Sequence, residues 1–512
     1  MKKSLLPAMI LAIMAYGCRT DHEEQLQIDP LVQTPHYSLT RVNQSAYEVL
    51  TRDGEFHWDQ LSSEEVSSAL THNDSTLVVG FKPASFVNVN ERLHEIDITS
   101  QEWVDAKTKV INNIDEILNA LDVNQSAQDL IVMEHETLPF IKIKTYQVAV
   151  IERLREMKEV RYAEPNSFTY DDSDIKSNNN RITSDSGCDV SPAGSIPSAD
   201  YVTVAPGSKI PWNYYAHNIP AAWNYSTGDN ITVGLIDTGI SPDQSNLNGN
   251  FASGYSTGRS RTKYGTYVSS WWWWASPDGP NDQCGHGTQM AGTISGPRTS
   301  TGSSIGVAYK CDLAAVRGTG DVIINGGSEK DGVTDALVLL GNRSDVKIIS
   351  MSIGDVFSSG QVEDGVRYAY GRGKMIIAAA GTSLSWTSWY GVIFPATMNE
   401  TIAVTGIRDN GYNRCNTCHD GSKVDFVVTM QRNSNTDRTS LTQAMSGNQP
   451  AYVGGSSVAT ATTAGIAALI WATNPSQTRE QVLNRMKLAS DFYPSRDGNF
   501  GWGKIDALAA VQ

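Results

Sequence analysis

The sequence predicts an α/β fold, with a mostly parallel central sheet flanked by helices and preceded by a small ferredoxin-like α+β unit. Two observations carry this prediction. Beyond residue 211, apolar runs without alternation recur at 232–236, 313–316, 347–351, 375–379 and 401–404, with helical patterns between some of them, as at 332–340 and 362–370. Such runs suit strands buried on both faces, as in a parallel sheet. Between residues 75 and 170 the order is strand, helix, strand, strand, helix, strand, which is a ferredoxin-like order.

In chain order, Lys2 and Lys3 precede an apolar run at 5–15, and Gly17-Cys18 follows. This reads as an export signal over 1–18, too short for a spanning helix. Met14-Ala15-Tyr16-Gly17-Cys18 resembles a bacterial lipobox, which makes Cys18 the expected lipidation site. Residues 19–74 are polar and mixed, with Asp21, Glu23 and Glu24, and read as a tether followed by a short helical or irregular segment. A strand is expected at 76–82, a helix at 101–121, strands at 131–133 and 139–144, a helix at 148–159 and a closing strand at 161–166. From 171 the composition shifts to Asp, Ser, Asn and Gly without apolar periodicity, so 171–211 reads as an exposed, protease-sensitive linker. Residues 212–512 form the larger unit.

A formal charge of −15 argues against nucleic acid as a partner. Six cysteines are present: Cys18, Cys188, Cys284, Cys311, Cys415 and Cys418. With Cys18 set aside for lipid, Cys284 with Cys311 and Cys415 with Cys418 are expected disulfides, leaving Cys188 over. Sequence alone does not fix that connectivity.

The stretch 454–470 opens with Gly-Gly-Ser-Ser and continues as a helix with almost no polar face, ended by Asn474-Pro475. A helix apolar all round is buried, and its N-terminus favours developing negative charge. Ser457 in that first turn is therefore a candidate nucleophile. Two further motifs accompany it: Asp237-Thr-Gly239 after a buried strand, and Gly285-His286-Gly-Thr288 opening a helix. Alone each is a common cap or turn. Together they supply what a serine hydroxyl needs, an imidazole to take its proton and a carboxylate to hold that imidazole. Of His217, His286 and His419, only His286 has glycine on both sides.

In the order Asp, His, Ser, these motifs resemble those of subtilisin-like serine proteases. Gly455-Ser-Ser457-Val-Ala-Thr-Ala461 matches the family's nucleophile motif, with Ser456, Val458 and Ala461 where Thr, Met and Pro are usual. Phe394-Pro395-Ala396, Ile402-Ala-Val404, Phe500-Gly-Trp-Gly503 and Ile505-Asp-Ala507 extend the resemblance over about 212–512, and 75–170 resembles the family's inhibitory propeptide.

The resemblance implies a serine endopeptidase made as an autoinhibited zymogen, with Asp237, His286 and Ser457 as triad. It implies peptide binding along Ser352-Ile353-Gly354 and beside Ala379, Ala380 and Gly381. Thr382 stands where the family places an oxyanion-binding Asn, so Thr382 and the Ser457 amide are the expected oxyanion donors. Expected partners are protein or peptide substrates and the chain's own propeptide. The expected location is extracytoplasmic, as an envelope lipoprotein or secreted after propeptide cleavage. No cofactor is required. A structural calcium is left open, with Asp243 and Asn246 as candidate ligands although the loop at 295–307 is poor in carboxylates.

The Thr382 departure motivates a second reading, a catalytically weak envelope protein that binds peptides through a protease-like cleft. Cys415-Asn-Thr-Cys418-His419 fits the C-x-x-C-H pattern of haem attachment, against a simple disulfide beside an incidental His. Trp271–Trp274 reads as packing with one or two rings free to line the cleft. Asp355 reads as a solvated loop acid or as a selector for basic residues before the cut.

Overall fold

The structure, a computed structural model, describes residues 35–169, 188, 192–269, 276–382 and 391–512. The export segment with Cys18, Trp271–Trp274 and linker residues 171–187 lie outside the described residues.

The region expected to be a tether with a short helical segment contains two full helices, α1 (Leu39–Asp53) and α2 (Ser63–Thr71). Their ends are set locally. Ser38 accepts the Arg41 N–H, Gly54 closes α1 at φ 77°, and Ser62 and Glu65 form a reciprocal capping box. Val42, Leu50 and Leu70 bury their apolar faces in the N-terminal core.

That core is built on β1 (Thr76–Phe81), β2 (Ile131–Glu134), β3 (Phe140–Lys144) and β4 (Val160–Pro165), antiparallel in the order β2-β3-β1-β4. Helices α3 (Gln101–Ala120) and α4 (Val148–Glu156) complete it. Helix α4 stops at Glu156 instead of 159 because Met157 is already extended, leading into β4.

The expected linker is shorter than predicted. Residues 201–204 and 208–211 form a hairpin, β5 (Tyr201–Val204) with β6 (Ser208–Pro211). Just before it, Asp200 is fully buried and accepts bonds from Arg438 at 2.6 and 2.7 Å, Arg432 at 3.3 Å and the Tyr452 hydroxyl at 2.6 Å. The Lys209 amide donates to Ser303 O, and Ile305 N donates to Lys209 O. Polar anchoring of this kind leaves no hydrophobic periodicity, so composition alone marks the segment as loose.

The larger sheet comprises β7 (Thr232–Asp237), β8 (Arg261–Gly265), β9 (Asp312–Arg317), β10 (Val346–Met351), β11 (Met375–Ala379), β12 (Thr401–Arg408) and β13 (Phe426–Gln431). Its order is β13-β12-β11-β10-β7-β9-β8, with every pair parallel. On one face lie α5 (His286–Ser295) and α8 (Gly455–Ala472), packed on Val233, Leu235, Ile348 and Ile377. On the other lie α6 (Gly327–Asn342) and α7 (Gly360–Gly371), packed on Ile236, Ile349 and Ile376. Alternate residues of one strand thus enter two cores, which is why these strands read as continuous apolar runs. Among the described residues α8 is the helix long and apolar enough to cross a membrane, and here it is core: every residue but Ser457 and Ala472 is buried.

The N-terminal sheet docks on α6 and α7. Arg161 meets both oxygens of Asp364 at 2.6 Å, and the Tyr162 hydroxyl donates to the same carboxylate at 3.0 Å. Glu164 accepts the Gly360 N–H at the start of α7, at 2.6 Å. Lys142 pairs with Asp331, and His135 with Asp335. Phe56 and Phe168 pack edge-on against Phe357 and Trp58 edge-on against Phe168, with centroids 5.0–5.5 Å apart, while Trp58 lies tilted over Phe357 at 6.2 Å.

Among the described residues two disulfides form, Cys188–Cys284 and Cys415–Cys418, and Cys311 is a free, buried thiol. The expected Cys284–Cys311 pair is therefore corrected. Cys311 faces the apolar core ahead of β9, and Cys284 lies in the loop before α5, where Cys188 reaches it.

Candidate active site

In a parallel sheet, strand ends that share a register share a site. Ile236 of β7 pairs with Met351 of β10, and Met351 pairs with Ala378 of β11. Asp237, Ser352 and Ala379 are thus carried to one edge, where α5 and α8 also begin.

His286 is the first residue of α5. Its Nδ1 donates to Asp237 Oδ1 at 2.8 Å, which leaves Nε2 as the basic nitrogen. Asp237 Oδ1 also accepts the Thr238 amide at 2.8 Å, while buried Oδ2 has no hydrogen-bond partner among the described residues. The approach is close enough to require glycine at 287, where an added Cβ would lie 2.3 Å from Gly239 O. Asp282 locks the turn from within: its carboxylate accepts the amides of Cys284, Gly285 and Thr288 and the hydroxyls of Thr238 and Thr288. Burial works against a charged His286. The Asp237 carboxylate, with Asp282 and Asp321 behind it, outweighs burial and raises its pKa above the ordinary 6.5.

Ser457 stands in the first turn of α8. Its Oγ donates to Ser352 O at 3.4 Å, and Ser352 Oγ donates to Ser457 O at 3.0 Å. No hydrogen bond joins Ser457 and His286 among the described residues. Such bonds commonly tighten only when substrate is bound.

Thr382 is exposed beside this turn. Its Oγ1 accepts the Ser456 amide at 3.1 Å and lies 3.0 Å from Ser456 Oγ, which in turn accepts the Gly381 amide at 3.2 Å. A Cβ at Gly455, already at φ 76°, would lie 2.6 Å from that hydroxyl oxygen. Either hydroxyl can donate across the Thr382–Ser456 contact; with Ser456 as donor the Thr382 oxygen accepts twice and its own proton is left to donate. Thr382→Val removes that donor, and turnover is expected to fall by roughly 10²–10³-fold with little change in KM, the loss typical of one oxyanion donor. Steady-state kinetics on a chromogenic peptide check this.

The expected peptide-binding residues divide. Gly354 N–H and C=O are bonded to Val322 O at 3.1 Å and Ile324 N at 3.2 Å, so this edge is paired within the chain. Ala380 O and Gly381 O accept from Ile393 and His419, which makes 379–381 a wall. Ile353 is buried in the core. Asp355 is no solvated loop acid. It is buried, its Oδ2 lacks a hydrogen-bond partner among the described residues, and burial pushes it up to about 6 against the pull of Lys330.

The other histidines are structural. His217 bonds to Ile505 O and the Thr429 amide, and burial lowers it to about 4. His419 donates to Gly391 O and is likewise lowered to about 4 by burial. With Cys415 and Cys418 bonded to each other, the haem-attachment reading is overturned. Of the candidate calcium ligands, Asn246 donates its side-chain NH₂ to Gln443 and Asn448, and its buried Oδ1 has no hydrogen-bond partner among the described residues. Reading the sequence missed Asp282, Asp321 and Ser456. Asp282 carried a signal, an Asp placed to cap the helix that begins at His286.

The model of the subtilase family matches residues 228–503, more than half of the chain. The chain is 29% identical over 306 residues to subtilisin Savinase of Lederbergia lenta, covering 59% of this chain and 99% of that protein. It is 28% identical over 327 residues to an alkaline protease of Alkalihalobacillus alcalophilus, covering 63% and 76%. Among solved structures, a protease of Pseudoalteromonas arctica PAMC 21717 aligns at 24% identity and a TM-score of 0.47, covering 59% of this chain and 96% of that one.

Proposed function

The chain belongs to the subtilase family and is a serine endopeptidase, and from that premise we propose that it is made as an autoinhibited zymogen with Asp237, His286 and Ser457 as its triad. The observation that carries this is the Asp237–His286 hydrogen bond on the sheet edge that also carries Ser352, to which Ser457 is bonded. Ser457 Oγ attacks the scissile carbonyl while His286 Nε2 takes its proton. The imidazolium is stabilised by Asp237 and returns the proton to the leaving amine. The Ser457 amide and the Thr382 hydroxyl face the oxyanion, and water then resolves the acyl-enzyme.

Residues 75–169 act as the inhibitor in this reading. Their docking on α6 and α7, and the Phe168 amide bonded to Asn325 O at 3.1 Å beside the Gly354 edge, support it. Two disulfides fit an oxidising, extracytoplasmic location. A lipid on Cys18 would sit on the inhibitor side, so complete removal of that side frees the enzyme from the membrane.

The docked state is also pH-dependent. Burial pushes Glu164 from an ordinary 4.5 up to about 8; Glu363 and Asp364 push the same way, and Lys330 and the Gly360 N–H oppose them. A raised carboxyl favours the docked state while protonated. That contribution is full below 4.5 and is lost as pH rises through about 8. Inhibitor dissociation is therefore expected to quicken on the alkaline side, and Glu164→Gln to flatten the dependence, as read by activity recovery across pH.

The test of the whole reading is intact mass of wild type and Ser457→Ala, both expressed without the export signal. Wild type splitting while the variant stays whole supports a self-maturing protease. Both staying whole favours an external activator or the peptide-binding reading that Thr382 motivates.

A further inference from the structure

Cys188 and residues 192–211 belong with the catalytic machinery, on both covalent and polar grounds. Cys188 is bonded to Cys284, two residues before His286, and its Sγ lies 3.8 Å from Asp321 Oδ1. Farther along, the Ala193 amide donates to Pro450 O, and buried Asp200 ties Arg432, Arg438 and Tyr452 together. The chain up to 169 is anchored differently. The Thr169 amide donates to Asn73, and Asn166 reaches Asp74 and accepts from Lys142.

The turn 282–288 is thus held twice, from inside by the Asp282 carboxylate and from outside by sulfur. The Asp282 carboxylate holds Thr238, Thr288 and the Cys284 and Gly285 amides within the turn, and none of these bonds reaches Asp321. The disulfide makes that connection.

We infer that Cys188 and residues 192–211 are a permanent strap of the mature enzyme, in which the Cys188–Cys284 bond positions the turn carrying His286, so that the inhibitor is severed on the N-terminal side of Cys188. This rests on the zymogen reading above. The covalent consequence is strict. Hydrolysis before Cys188 adds one water across one peptide bond and gives two unlinked chains. Hydrolysis after Cys188 gives two chains still joined through sulfur, which separate only if a thiol reductant cleaves the bond to two thiols. Cys188 and Cys284 are positioning residues; neither touches the reacting atoms.

The experiment is N-terminal sequencing and intact mass of the matured, oxidised wild-type protein, with and without reductant. The expected result is a catalytic chain that begins at or before Cys188, with the inhibitor free of it on a non-reducing gel. A catalytic chain beginning beyond 188, with the inhibitor migrating alongside until reductant is added, overturns the inference. A Cys188→Ser/Cys284→Ser variant is expected to lose about ten- to a hundredfold in kcat with KM within about twofold, as for a slight misplacement of a catalytic base. Unchanged kcat removes the positioning role.

Should neither wild type nor Ser457→Ala process itself, the zymogen reading fails, and limited trypsinolysis still decides the strap. A resistant core starting after Lys176 or Arg181 supports it, and one starting after Lys209 overturns it.

Discussion

Ser457→Ala is expected to lower turnover of a peptide substrate by about 10⁶-fold, the magnitude known for triads of this family rather than one computed from these distances. The structure explains why nothing nearby compensates. Every other residue in the first turns of α8 is buried, and the neighbouring Ser456 hydroxyl is engaged with Gly381 and Thr382. His286→Ala is expected to cost as much, and the double variant no more, because nucleophile and base act as one unit. What survives is the share supplied by binding and the oxyanion donors, roughly 10³–10⁴-fold over water. Steady-state hydrolysis of a chromogenic peptide by the variants, set against the uncatalysed rate, measures it. Turnover in Ser457→Ala within a hundredfold of wild type would remove Ser457 from the role of nucleophile.

The second large effect concerns inhibition. Arg161 and Asp364 form a two-pronged ion pair with side chains 8% and 0% exposed, crossing from the N-terminal sheet to α7. Burial disfavours the Arg161 charge, and Asp364 more than restores it. Asp364→Ala leaves that guanidinium buried without its counter-charge, at a cost of about 3–5 kcal/mol. The inhibitor's hold should weaken by roughly 10² to 4 × 10³-fold. Because α7 belongs to the catalytic side, the free enzyme should keep its kcat. Inhibitor dissociation after processing, followed as the delay before full activity, should shorten accordingly, while Arg161→Met with Asp364→Leu restores much of the hold. A delay unchanged in Asp364→Ala would show that the pair contributes nothing to inhibition.

Much of this arrangement could be read before any coordinates, and the reasons are local. Unalternating runs such as Met375–Ala379 announce strands buried on both faces, and each of the five lies within a strand of the larger sheet. The helix carrying Ser457 was legible because its small residues leave no polar face. What escaped had no periodic signature. Asp200 holds residues 192–211 through three polar partners more than two hundred residues away. The partner of Cys284 lies 96 residues off, so spacing favoured nearby Cys311. Helices α1 and α2 were legible in retrospect, since Ser62 and Glu65 spell a capping box. Ser456 was hidden for another reason: its bond to Thr382 exists only once β11 and α8 meet.

The burial of α8 ties chemical competence to the integrity of the whole interior. A nucleophile on a surface loop can be disabled by fraying that leaves the fold intact. Ser457 rides on a helix wedged against the sheet, with Gly465 so close to Val307 that a Cβ there would lie 2.5 Å from its side chain. No partial melting of that helix is available without opening the core. Loss of the Ser457 turn on heating is therefore expected to track unfolding of the interior rather than local fraying.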